Sequence, residues 1–160
     1  MRSFRQQRGF TYVAMLLAVA LIGIGLAATG EVWSVSRQRE KERELISVGH
    51  ELRAAIGEYY RDTPGGASRF PEKLDDLLQD RRYPGVKRHL RKLYRDPMSG
   101  KAEWGLVMAP EGGIQGVYSL SKGAPIKQTN FGRADFEFES AATYSNWRFI
   151  YLPQFANLPG

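Results

Sequence analysis

Residues able to do chemistry are few in this chain. His50 and His89 are its two histidines and cysteine is absent. That removes thiol nucleophiles and cysteine-based metal sets. No serine stands in a recognisable spacing to a histidine and an acid, so nothing in the sequence argues for an enzyme. Asp135, Glu137 and Glu139 alternate with Phe136 and Phe138. Such oxygens can hold calcium, yet the same alternation describes a half-buried strand, and no metal or other cofactor is assigned. Arg81, Arg82, Lys87, Arg88, Arg91, Lys92 and Arg95 form a basic stretch without an acid. It could meet anionic lipid headgroups, DNA or an acidic partner. Only Tyr83 and Tyr94 interleave with it, so nucleic acid is not an expected partner and a solvated, protein-facing surface is preferred.

The elements that must position these residues begin with a membrane-type segment. Residues 1–9 carry Arg2, Arg5 and Arg8, no acid, and end in Gly9. An apolar run then extends from Phe10 to Gly30, long enough for a helix to cross a bilayer core, which takes roughly 20 residues. Three arginines before the run place the N-terminus in the cytoplasm and the remainder outside. A secretory signal peptide would lose its apolar run on cleavage; a cut between Gly9 and Phe10 would keep it. An uncleaved signal anchor is the alternative that shares these features.

Residues 31–63 continue as an amphipathic helix. Leu45, Val48, Leu52, Ile56 and Tyr59 recur at steps of three and four on one face, and the charges of Arg39 to Glu44 suit a solvated face. Pro64-Gly65-Gly66 stops the helix. In residues 64–160, Pro71 to Gln79 reads as a short helix with Leu74, Leu77 and Leu78 inward. Asp96-Pro97 is a turn. Trp104 to Met108 and Ile114 to Ser121 read as a hairpin about Gly112-Gly113, and Trp147 to Tyr151 as a last strand. Residues 135–145 fit a strand or a short helix. The fold class is therefore α+β, a long N-terminal helix packed on a small antiparallel sheet. About 130 residues outside the leader and apolar run allow one modest core. The formal charge falls from +6 to +3 without the leader arginines, a slight excess that is weak support for nucleic-acid binding.

Arg8-Gly9-Phe10-Thr11, set between the basic leader and the apolar run, resembles the class III leader of type IV pilins and type II secretion pseudopilins. The Phe70–Leu78 phrase FPEKLDDLL and Asp96-Pro97 resemble pseudopilin segments that follow the long helix. The resemblance implies a pilin-like fold and cleavage by prepilin peptidase after Gly9, with N-methylation of Phe10. It implies assembly with other pseudopilins on an inner-membrane platform, a span embedded in inner-membrane lipid and a periplasmic C-terminal domain. The absence of cysteine favours pseudopilins over major pilins, many of which close a C-terminal loop with a disulfide. One departure stands out: five residues into the mature chain the family usually has Glu, and this chain has Ala14. That puts a role as the repeating major subunit in doubt. A minor pilin of a type IV pilus or DNA-uptake machine, and a signal-anchored periplasmic binding module, are the rival readings.

Overall fold

A computed structural model describes residues 8–155, with the side chains of 11–22 and 33–154. Helix α1 runs Arg8–Arg61. The chain divides into two compact units, Met1–Gln38 and Arg39–Gly160. The second is α+β, combining the C-terminal part of α1 with a three-stranded antiparallel sheet. Strand β1 is Gly105–Met108, β2 is Ile114–Tyr118 and β3 is Arg148–Ile150, in the order β1-β2-β3.

The helix buries the face that its three- and four-residue steps define. Leu45, Leu52 and Ile56 are fully buried, with Val48, Ala55 and Tyr59 beside them. Each such aliphatic side chain contributes about 1.5–3 kcal/mol on burial. The same stripe extends back to Glu42, three residues before Leu45, and Glu42 is only 3% exposed. The expectation that Arg39–Glu44 is wholly a solvated face is therefore corrected at this residue. Helix α1 ends before Pro64, and its last carbonyls find partners: the Thr63 hydroxyl donates to Tyr60 O at 3.0 Å, and Arg82 Nη2 donates to Tyr59 O at 2.8 Å.

Pairing of Leu106 with Val117 and of Val117 with Phe149 puts these three on one sheet face. Val117 and Phe149 are fully buried on it. Gly49 lets helix and sheet approach, because a β-carbon there would lie 2.4 Å from the Phe149 ring. Leu106 and Met108 are 44% and 56% exposed: β1 is an edge strand, and the core lies against β2 and β3. The hairpin turns at Gly112 and Gly113, with φ of +96° and +84°, a left-handed region that glycine enters freely.

One further segment differs from the sequence reading, and a second takes one of its two alternatives. Residues 71–79 supply only one 3₁₀ turn, Leu74–Leu77, with Leu77 fully buried. Residues 135–145 take the short-helix alternative and not the strand. They fold as 3₁₀ turns over Arg133–Phe138 and Tyr144–Asn146, so Phe136 is exposed while Phe138 is buried. Phe138 stacks on Trp147 at 5.5 Å and meets Phe149 edge-on at 5.0 Å, which makes the aromatics of this region core.

Candidate functional site

The residues singled out from sequence as sites all fall at the start of α1. The backbone is helical from Arg8 onward, so Gly9 and Phe10 lie in its first turn. Residues 1–7 of the leader and the Phe10 side chain lie outside the described residues, as do the side chains of 23–30 in the apolar run. Ala14 is exposed, and its neighbours are apolar and exposed all round the helix: Tyr12, Val13, Met15, Leu16, Leu17, Val19, Leu21 and Ile22 are each at least 53% exposed. Helices apolar on every face belong in a membrane or a large core. Among the described residues no helix is long and apolar enough to cross a membrane; the described side chains of this run stop at Ile22. Past the run, Trp33 is 66% exposed, with the Arg37 guanidinium 5.6 Å from its ring centre. Sequence reasoning passed over this pair, although a Trp just beyond an apolar run is itself a membrane-interface signal.

The buried polar residues described in the Arg39–Gly160 unit are Ser119 and four acids, and each acid has at least two partners. Asp80 takes Arg82 Nε at 2.8 Å and Nη2 at 2.7 Å, and meets His89 Nε2 at 3.0 Å. Its side chain is fully buried, and that of His89 almost so. Burial opposes its ionisation, yet the Arg82 and His89 hydrogen bonds outweigh burial and hold the carboxyl well below the usual range. Arg82 also lies 3.5 Å over the Tyr59 ring, so one guanidinium joins the 80–89 loop to the end of α1.

Asp135 binds His50 Nε2 at 2.6 Å and Arg53 Nη1 at 2.8 Å. Burial again raises its carboxyl, and these two partners again bring it below the ordinary range. Glu42 accepts the Ile126 and Lys127 backbone N–H groups at 2.5 and 3.3 Å and the Tyr144 hydroxyl at 2.8 Å. Asp96 accepts Ser119 Oγ at 2.7 Å and the Met98 N–H at 2.9 Å. In a chain without disulfides, Glu42, Asp96 and Asp135, with Asp80 acting through Arg82, tie loops to the helix–sheet core.

The candidate metal oxygens are not brought together. Asp135 is turned inward to His50 and Arg53, whereas Glu137 and Glu139 are exposed, and no group of three or more potential metal ligands forms among the described residues. Both histidines hold carboxylates, and neither pairs with a serine or threonine hydroxyl among the described residues. The basic stretch is divided in two. Arg82 and Lys87 are consumed by Asp80 and Asp62, while Arg81, Arg88, Arg91, Lys92 and Arg95 are exposed and in no ion pair among the described residues. No family model, curated protein or solved structure matches the chain.

Proposed function

We propose that this chain is a structural, non-catalytic subunit of a type II secretion pseudopilus with a pilin-like fold. In this reading prepilin peptidase cuts after Gly9 and methylates the amine of Phe10. The span 10–30 holds the subunit in the inner membrane, with its C-terminal domain in the periplasm. An assembly platform then lifts it into a filament that drives protein export. The observation that carries the reading is the order of features at the N-terminus: three arginines, Gly9, Phe10 and an uninterrupted apolar run. The exposed side chains from Tyr12 to Ile22 support it. Such a surface needs lipid or the spans of other copies around it. Trp33 beside Arg37 suits the interface where the span leaves the bilayer.

Ala14 favours a minor or initiating subunit within that class. A carboxylate inside the membrane is costly, about 2.5–3.5 kcal/mol at a helix centre, and is retained where a partner amine awaits it. A subunit present in few copies has no need of that attraction.

The test is maturation at Gly9. Glycine gives the peptidase a backbone without a side chain, so Gly9→Val made beside prepilin peptidase is expected to accumulate a precursor nine residues longer. N-terminal sequencing of the unaltered chain should read methylated Phe10. An intact Met1 in that chain would reject this reading in favour of a plain signal anchor, and normal maturation of Gly9→Val would rule out this cleavage site.

A further inference from the structure

The Arg39–Gly160 unit contains a groove of about 450 Å³ between α1 and the loop that follows β2, lined by Arg39, Glu42, Arg43, Ile46, Ile126 and Lys127. This volume lies in the size class of small-ligand sites, about 300–1,000 Å³. We propose that the groove binds a phosphate ester, with the phosphate held by Arg39, Arg43 and Lys127 and the attached carbon portion lying on Ile46 and Ile126.

The charge balance points to an anion. The one carboxylate in the lining, Glu42, is already committed to two backbone N–H groups and the Tyr144 hydroxyl. Among the described residues no cation stands within ion-pair distance of it. Arg39, Arg43 and Lys127 are exposed and in no ion pair among the described residues. Lys127 makes one other contact, with its Nζ 4.6 Å over the Phe131 ring, and that contact leaves its positive charge uncompensated. Three cations against one satisfied acid leave the groove with a net positive charge of two.

The number of donors narrows the anion to phosphate. Arg39 and Arg43 are four residues apart, so they rise from successive turns of one helix face, and Lys127 belongs to the opposite wall. Two guanidinium forks and an ammonium offer more donors than the two oxygens of a carboxylate accept, whereas phosphate oxygens suit them. The Ile126 and Lys127 N–H groups are occupied by Glu42, so recognition falls to the side chains. Ile46 and Ile126 are partly buried and offer an apolar wall for a glycerol or alkyl group, which favours an ester over the bare ion. The site chemistry is independent of the filament reading. A lipid headgroup and a soluble phosphate ester are the two sources of such a group, and only the first requires a membrane anchor.

The full chain in neutral detergent, followed through its Ile126 and Lys127 amide resonances, tests the site. Glycerol 3-phosphate is the soluble probe. Nanodiscs of phosphatidylglycerol, against nanodiscs of phosphatidylcholine alone, are the lipid probe. The expected result is a saturable shift with glycerol 3-phosphate or with phosphatidylglycerol, and which of the two acts at lower concentration identifies the source. Each substitution removes a charged hydrogen-bond donor from the phosphate, so Arg43→Gln with Lys127→Gln should weaken binding at least about tenfold. Lys101→Gln, an exposed cation outside the groove, should leave it unchanged. Arg39→Gln, exposed and away from the core, gives the same reading through a second residue. No saturable shift with either probe, or equal shifts in the groove variants and Lys101→Gln, overturns the proposal. Processing at Gly9 is read separately, so an unprocessed chain that binds phosphate keeps the site and loses only the filament.

Discussion

Asp80→Ala is expected to destabilise the Arg39–Gly160 unit by about 3–5 kcal/mol, the range for breaking a buried ion pair from one side. The cost falls on what remains: the Arg82 guanidinium loses its two Asp80 contacts, and His89, 1% exposed in its side chain, loses the nearer of its two carboxylates. Against a total stability of 5–15 kcal/mol typical of domains, this is a large share. Replacing both partners, as Asp80→Leu with Arg82→Met, should cost less than Asp80→Ala alone, because no charge is then buried without its counterion. Urea unfolding followed by far-UV circular dichroism measures all three proteins. A loss below about 1 kcal/mol for Asp80→Ala would show that the cluster is not a stabilising tie.

Acid should act on this cluster and on that of Asp135 with His50 and Arg53. The carboxyls of Asp80 and Asp135 ionise more readily in the folded chain than in the unfolded one. Their contribution is therefore fully present above the unfolded value of about 3.9 and is lost as pH falls from there through the folded values. Stability should decline below about pH 4, and in Asp80→Ala the decline should be shallower, because one of the two carboxyls no longer titrates.

Features set by short-range order could be read from the sequence, and features set by long-range pairing could not. The face from Leu45 to Tyr59, the hairpin about Gly112-Gly113 and the strand through Phe149 follow from periodicity and turn chemistry within a few residues. Asp135 shows the opposite case. Its alternation with Phe136, Glu137, Phe138 and Glu139 matched a strand or an oxygen cluster. Its partners His50 and Arg53 stand 85 and 82 residues earlier, a pairing no local pattern reports. The basic stretch misled for the same reason, since Lys87 is turned to Asp62 and Arg82 to the Tyr59 carbonyl near the end of α1, while Arg81 and Arg88 face solvent. Glu42 was within reach: counting back three residues from Leu45 puts it on the core face, and a charge there calls for dedicated partners. The groove depends on Arg39 and Arg43 meeting Lys127 across more than 80 residues of chain, so it required the fold.

If the span holds the chain in the membrane as proposed, removing residues 1–38 should release a soluble, folded monomer. The Arg39–Gly160 unit keeps the whole buried cluster from Leu45 to Phe149 and all four buried acids with their partners. Among the described residues, every member of that cluster and every partner of those acids lies within this unit. The full chain, in contrast, carries eight large exposed apolar side chains from Tyr12 to Ile22. At about 1.5–3 kcal/mol for each one moved from water into an apolar medium, even half of their sum exceeds 5 kcal/mol. Every 1.4 kcal/mol is a factor of ten, so the soluble fraction of the full chain should be negligible beside its membrane fraction. Ultracentrifugation of membranes without detergent should sediment the full chain. The 39–160 fragment should stay in the supernatant, elute at monomer size and unfold in one cooperative step. An aggregated or large oligomeric fragment would show that the unit needs the preceding helix. A full chain found in the supernatant would remove the membrane anchor, and with it the filament, whose subunits must wait in the bilayer before assembly.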